Sequence, residues 1–161
     1  MDLARDSGHA FIATNIPRRF ARMVYHSGFE ALDSLNEEQK AWVAPLPITY
    51  NPELPGYKKM RSMMEGHGGE NLPKAQAIKD VTMAHFILNN LPKGGSFLHF
   101  NGDYHSANFE GIGWYLKQKK PELKVMTIST RVQANVGMLE KDNQARADFI
   151  IVVDKNMTAS Y

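Results

Sequence analysis

We predict an α/β domain in which helices pack on a largely parallel sheet, and two observations lead to this prediction. Short apolar stretches at residues 10–14, 96–101, 124–129 and 148–153 alternate with stretches of helical periodicity. Such alternation is typical of a parallel sheet, because the crossover between parallel strands is usually a helix. The chain has 161 residues, of which 43% are apolar, and this is enough for one domain with a real core.

The N-terminal part predicts a strand followed by two helices. Residues 10–14 (AFIAT) are typical of a short buried strand, which Asn15 ends. Pro17 can open a helix at its first position, and Gly28 is a typical stop for that helix. A shorter helix is expected over residues 35–43.

A proline-rich loop follows over residues 44–57. Its four prolines argue against both a helix and a central strand, and long loops inside a compact domain are usually functional or mobile. Together with the methionine-rich segment 58–65, its Tyr50 and Tyr57 could line a large, flat pocket. His67 lies among glycines, in a loop that is either simply mobile or able to reach a metal or haem iron.

The strongest helical pattern covers residues 74–91, after Pro73. Gln76 and Asp80 fall inside or at the edge of its apolar arc, where an amphipathic helix rarely places polar groups. They are either hydrogen-bonded inside the protein or directed into a cavity. The arc itself is formed by Ala77, Val81, Ala84, Ile87, Leu88 and Leu91.

The predicted strand 96–101 ends in a polar cluster that precedes the predicted helix 107–118. Ligands of open α/β sheets bind beyond the carboxyl ends of the strands, where Asn15 and Asn101 both stand. Gly102 permits a tight turn or the close approach of a ligand. Tyr104 and His105 would then lie in the loop over this crevice, where a histidine can act as base, metal ligand or hydrogen-bond partner.

A structural alternative exists for the same cluster. Gly102 could simply make a turn, while Asp103 or Ser106 caps the following helix. A similar choice concerns Arg18 and Arg19, which open a helix after a strand end. They could hold a carboxylate by bidentate contacts, or they could form an ordinary surface pair.

The composition and the missing motifs exclude several classes of function. No cysteine is present, which excludes disulfides, thiolate metal sites and a cysteine nucleophile. The net charge of +2 does not favour a nucleic-acid partner, and the basic run 117–120 is typical of a solvated helix end. The sequence lacks the G-x-G-x-x-G, P-loop, H-E-x-x-H and G-x-S-x-G motifs. It also lacks a long apolar segment of the kind found in signal peptides and membrane spans.

Three segments together resemble the ChaN-like haem-binding family of the Tiki/TraB superfamily. They are ATNIPRRFARMV, KAQAIKDVTMAHFIL and FNGDYHSANFEGIGWYL, and they follow the order N-x-P-R-R, A-Q-A-x-x-D-x-x-M-A, G-x-x-H. The resemblance covers roughly residues 8–155. It implies a mixed, largely parallel sheet sandwiched by helices and a single domain over residues 1–161.

The resemblance also implies a function. ChaN-like proteins are envelope lipoproteins linked to haem and iron uptake, in which two subunits are thought to enclose haem with a tyrosine on the iron and a histidine assisting. The expected cofactor is haem, and the expected partners are a second copy of the chain and an outer-membrane haem transporter. The expected location is the cell envelope, in the periplasm or at the outer membrane.

The motif positions carry over to named residues. His105 matches the G-x-x-H histidine, and the tyrosine next to it, Tyr104, is the first candidate for the iron ligand, with Tyr57 and Tyr25 as alternatives. The remaining motif positions expected at the haem site are Asn15, Arg18, Arg19, Gln76, Asp80, Asn101 and Gly102.

One feature of the family is missing from this chain. An early strand with a first G-x-x-H-type motif is expected after a lipoprotein signal, and the chain has neither. We therefore expect it to be the C-terminal portion of a longer protein, with an exposed sheet edge or apolar face.

Two other functions stay open from the sequence. Relatives of the Tiki and erythromycin-esterase type suggest a metal-dependent hydrolase, in which His105, with Asp103, binds metal or acts as base. An inert envelope or interaction module would use the polar cluster only to cap helices.

Overall fold

The structure is a computed structural model that describes residues 2–63 and 70–158. His67 and Met64, from the predicted flexible loop, lie outside the described residues. The chain divides into two compact units, Met1–His99 and Phe100–Tyr161, and each is described by itself below.

The first unit is helical. Its α-helices are α1 (Asp2–Asp6), α2 (Arg18–Ser27), α3 (Glu37–Lys40), α4 (Pro55–Met63) and α5 (Asn71–Asn90), and a 3-10 helix covers Phe29–Ser34. Helix α2 ends as predicted at Gly28, where φ is +77° and the backbone N–H donates to the Val24 carbonyl. Helix α3 is shorter than the predicted helix over residues 35–43.

Helix α5 is the centre of the first unit, packed between α2 and α4. Its existence is confirmed close to the predicted bounds, with Pro73 in the first turn, where a missing N–H is tolerated. The prediction of a single apolar arc is wrong. Residues on all sides of the helix are buried, including Gln76 and Thr82, because neighbours cover it from more than one direction.

The proline-rich loop contributes to the core of the first unit and does not present its tyrosines as a free surface. The rings of Phe29 and Tyr50 lie 5.3 Å apart, and those of Tyr50 and Tyr57 lie 5.7 Å apart. Tyr57 and Met60 of α4 are buried against Ala77 of α5. The loop gives way to helix already at Pro55, where proline is compatible with a helix start.

Two predicted strands are absent from the first 99 residues as far as these are described. Residues 10–14 and 96–99 run without helix or strand assignment, as does 100–101 in the second unit. The two segments of the first unit nonetheless meet, since Thr14 Oγ1 and His99 Nε2 lie 2.8 Å apart. Extended segments form a regular strand only when a backbone ladder pairs them, and no such ladder is assigned there.

The second unit carries the described sheet. It comprises two 3-10 turns (Asp103–His105 and Ala107–Phe109), helix α6 (Ile112–Lys119), strand β1 (Ile128–Gln133), a 3-10 turn (Lys141–Asn143) and strand β2 (Phe149–Asp154). The two strands are parallel, with Ile128 opposite Phe149 and Gln133 opposite Asp154. The α/β class with parallel strands is confirmed, in a sheet of two strands over the described residues.

Strand β1 begins at Ile128, four residues after the start of the predicted strand 124–129. Thr127 is tied to Asp148 by a backbone N–H to Oδ2 bond of 2.7 Å, directly before the first paired residues. β2 matches the predicted strand 148–153 within one residue at each end. Among the described residues, no helix has the length and apolar character that a membrane crossing requires.

Candidate functional site

The polar cluster after residue 100 forms a compact turn in the second unit. Asn101 Nδ2 donates to the Gly102 carbonyl and to Ser106 Oγ, each at 2.9 Å, and so closes the turn from both ends. The Gly102 carbonyl also accepts the backbone N–H of His105 at 3.0 Å. We call residues 101–106 the ligand turn.

Asp103 joins the ligand turn to the rest of the second unit. Ser129 Oγ donates to its Oδ1 at 2.7 Å, while Arg131 Nη1 (3.0 Å) and Arg146 Nη2 (2.5 Å) both donate to its Oδ2. The Arg146 carbonyl also accepts the Asn108 N–H at 2.8 Å. The turn is therefore tied to β1 and to the segment before β2.

The capping alternative for the cluster is wrong. Neither Gly102 nor Ser106, which precede the two 3-10 turns, provides a side-chain cap, and α6 also begins without one. Asp103 uses its carboxyl group on partners 26, 28 and 43 residues away in the sequence. Its role is to anchor the turn.

These donors keep Asp103 ionised. Burial alone would raise the pKa of its carboxyl group, but the hydrogen bonds from Ser129 and Arg146 and the charges of Arg146 and Arg131 outweigh burial and lower that pKa. A carboxylate held by two guanidinium groups is poorly suited to bind a metal or act as base. The hydrolase reading that used Asp103 therefore loses support.

The side chains of Asn143 and Gln133 hold the guanidinium group of Arg131 in its orientation. Its Nε donates to Asn143 Oδ1 at 2.8 Å, and Asn143 Nδ2 donates to Gln133 Oε1 at 3.1 Å. Asn143 and Gln133 are buried. The guanidinium group of Arg131 is thus oriented by side chains that themselves have partners.

Sequence reasoning missed Arg131 and Arg146. The signal for Arg131 was present in the strand sequence ISTRVQ, whose alternation places Ser129, Arg131 and Gln133 on one face. A strand face that is polar at three successive positions is unusual unless those groups bind each other or a ligand. Nothing local in the sequence marks Arg146.

The ligand turn presents Tyr104 outward and His105 at partial exposure. Tyr104 is 64% exposed, in contrast to the buried Tyr57 and Tyr115. Gly102 has φ −68°, a conformation open to any residue, and a Cβ there would meet only a carbon of the His105 ring at 4.0 Å. The backbone of the turn therefore does not need glycine at this position.

The predicted residues of α2 and its approach lie on the surface of the first unit. Asn15 and Arg18 are exposed. The guanidinium carbon of Arg19 lies 4.6 Å from the Phe20 ring centroid and 5.2 Å from that of Trp42, which gives it a cation–π role. Both arginines are exposed, and Arg19 is the one with recorded aromatic contacts.

Gln76 and Asp80 are buried as predicted, and Asp80 is completely inaccessible to solvent. Tyr57 Oη donates to Asp80 Oδ2 at 2.8 Å. The first of the two alternatives for Asp80, a hydrogen bond inside the protein, is what the structure shows. Tyr57 is committed to this bond, and Tyr25 packs edge-on against His26 at 5.3 Å.

The predicted site residues thus fall into three groups. Asn101, Gly102, Tyr104 and His105 share the ligand turn; Asn15, Arg18 and Arg19 share the approach to α2 and its first turn; and Gln76 and Asp80 share the buried middle of α5. The described residues contain no group of three histidine or acidic side chains that could hold a bare metal ion.

Comparison with known proteins gives one match. The family model described as "Haem-binding uptake, Tiki superfamily, ChaN" matches residues 1–116. Searches of curated proteins and of solved structures gave no significant match. The matched segment includes α2, α5 and the ligand turn, and it extends over more than half of the chain. The chain therefore belongs to the ChaN family of haem-binding uptake proteins in the Tiki superfamily.

Proposed function

We propose that this protein binds haem for uptake, with Tyr104 as the ligand to the iron and His105 as its assisting group. The observation that carries the proposal is the ligand turn. It presents an exposed tyrosine and a partly exposed histidine as neighbours, on a backbone anchored through Asp103. A site held in this way is positioned before the ligand arrives.

The residues of the turn fit the chemistry of haem. Tyr104 would hold the iron of a bound haem, because a tyrosine can serve as a ligand to haem iron. This agrees with the turn, which places one phenol next to one imidazole in the chain. Gly102 is exposed and has no side chain, so a ligand could approach the backbone there.

The remaining residues of the family motifs have two kinds of proposed role, contact with the ligand for the exposed residues and structural support for the buried ones. Arg18, exposed on α2, and Asn15 beside it would contact polar groups of the ligand, with Arg19 less available because of its aromatic partners. Gln76 and Asp80 would stabilise the first unit, since both are buried and Asp80 accepts the hydrogen bond of Tyr57.

We further propose that the chain forms a single domain. We also propose that the protein works in the cell envelope, where it delivers haem to or from an outer-membrane transporter. The family's uptake function supports this proposal. A homodimer is also proposed. It is supported by the exposed apolar side chains of the sheet face, formed by Ile128, Val132, Phe149 and Ile151, each 52–63% exposed.

The proposal is tested by titrating the purified chain with ferric haem and following the Soret absorbance. We expect saturable binding, and we expect His105→Ala to weaken it about 10- to 100-fold, the usual cost of losing a group that supports a metal ligand. His26→Ala is the matched control, because His26 is an exposed histidine on α2. A response that never saturates, or equal weakening by both variants, would contradict the proposal.

A further inference from the structure

We propose that Arg131 and Arg146 form a binding site for a carboxylate group of the ligand, and this inference rests on the proposed haem-binding function. The site lies directly behind the ligand turn, because both guanidinium groups donate to Asp103 of that turn. Both arginines come from the segment beyond the part of the chain that matches the family model. Haem carries two propionate side chains, so its carboxylates supply the chemistry that guanidinium groups recognise.

The first observation is an imbalance of charge. Two cationic side chains share one carboxylate, and neither has another acidic partner among the described residues. All three side chains are only partly exposed, at 32% for Arg131, 20% for Arg146 and 26% for Asp103. A charge that is partly removed from water and incompletely paired is costly, and a second carboxylate would compensate it.

The second observation is unused hydrogen-bonding capacity. Arg131 donates through Nε and Nη1, and Arg146 donates through Nη2. These bonds use three of the N–H groups that the two guanidinium groups carry, and Arg146 Nε is buried without a hydrogen-bond partner in the part of the chain that the structure describes. Arginine is suited to bind a carboxylate through two parallel N–H groups, and both side chains keep donors for such contacts.

The third observation is that the pair is held in place before a ligand binds. Arg131 is oriented by Asn143, which is buried and itself bonded to Gln133. Arg146 is fixed at both ends, because its carbonyl accepts the Asn108 N–H while its side chain reaches Asp103. Little side-chain entropy is then lost on binding a carboxylate, which favours affinity.

The test compares ferric haem with ferric haem dimethyl ester, in which both carboxylates are blocked. The wild-type chain should bind the free acid about 10- to 100-fold more tightly than the ester, the range that loss of one or two charge-assisted hydrogen bonds gives. Arg146→Gln should reduce this acid-to-ester ratio to within about threefold of one. Because each variant serves as its own reference, a general loss of stability does not produce this result.

Three further variants decide where the carboxylate is bound. Arg18→Gln tests the exposed arginine of α2, and Arg5→Gln is the matched control, an exposed arginine paired only with Asp2 and Asp6. Arg5→Gln should keep the wild-type ratio, and Arg18→Gln should lower it by less than Arg146→Gln does. Asp103→Asn removes the competing carboxylate while keeping an oxygen acceptor, so it should raise the ratio above the wild-type value.

Several outcomes would overturn the inference. A wild-type ratio near one, with both ligands bound saturably, removes the carboxylate site and leaves haem binding in place. A ratio that survives in Arg146→Gln but disappears in Arg18→Gln moves the carboxylate contact to α2. A lower ratio in Asp103→Asn assigns the arginines a purely structural role. If neither ligand binds saturably, the proposed function fails together with this inference.

Discussion

The bond between Tyr57 and Asp80 determines what each of these residues can do. Tyr57 donates at 2.8 Å to a carboxyl group that has no access to solvent. To ligate iron, Tyr57 would have to leave both this bond and the buried cluster around Met60 and Ala77. Tyr104, in contrast, is 64% exposed, and this accessibility is the physical reason for preferring it.

This role of Tyr57 gives a prediction about stability. Tyr57→Phe removes one donor from a buried carboxyl group, and such a loss typically costs about 1–3 kcal/mol in the free energy of unfolding. Tyr25→Phe is the matched control, since Tyr25 is partly exposed and packs on His26, and it should change stability by less than about 0.5 kcal/mol. Urea denaturation of both variants measures the difference, and equal stabilities would show that the bond contributes nothing.

At the residue scale, the sequence predicted the environment of a residue where that environment depends on neighbours in the same element. The burial of Gln76 and Asp80 was expected from their place inside or at the edge of the apolar arc, and the exposure of Arg18 is compatible with both alternatives stated for it. Arg131 and Arg146 could not be found in this way. They meet Asp103 across 28 and 43 residues of sequence, and a local period carries no information about such contacts.

At the scale of elements, the ligand turn depends on the strand region behind it. Asp103 accepts one bond from Ser129 and one from Arg131 of β1, and a third from Arg146 before β2. A substitution in β1 is therefore expected to change the position of Tyr104 and His105, although β1 contains none of the predicted ligands.

The lowered pKa of Asp103 predicts how this anchoring depends on pH. A carboxyl group whose pKa is lower in the folded state stabilises that state above its unfolded pKa, near 3.8, and the contribution is lost as the pH falls towards the lowered value. Asp103→Asn should therefore be less stable than the wild type at pH 7, and this difference should shrink below about pH 4. Urea denaturation of both proteins at several pH values measures it. A difference that stays constant from pH 7 to pH 3 would contradict the ionic anchor.

Helices were easier to predict than strands, because a helix forms its backbone hydrogen bonds within one segment, whereas a strand needs a partner strand. Helix α5 was found within a few residues because the helical segment is long and because Pro73 and residues 92–95 mark its two ends. The stretches 10–14 and 96–101 have the composition of strands, but a strand also needs a neighbour to complete its ladder. Sequence composition alone does not provide that neighbour.

At the scale of the whole molecule, the described sheet has a polar face that is less exposed than its apolar face, which reverses the usual arrangement. The β1 face that carries Ser129, Arg131 and Gln133 is the less exposed one, while Ile128 and Val132 stand on the exposed face. The buried polar face serves the anchor of the ligand turn, which explains why apolar residues do not occupy it.

The assignment of the iron ligand is the central claim, and the ferric haem spectra of three proteins test it most directly. The wild type, Tyr104→Phe and Tyr57→Phe would be saturated with ferric haem and their absorption spectra compared. We predict that Tyr57→Phe keeps the wild-type spectrum and that Tyr104→Phe loses its tyrosine-ligated, high-spin features. An unchanged spectrum in Tyr104→Phe, or an altered one only in Tyr57→Phe, would contradict the assignment of the haem site to the ligand turn.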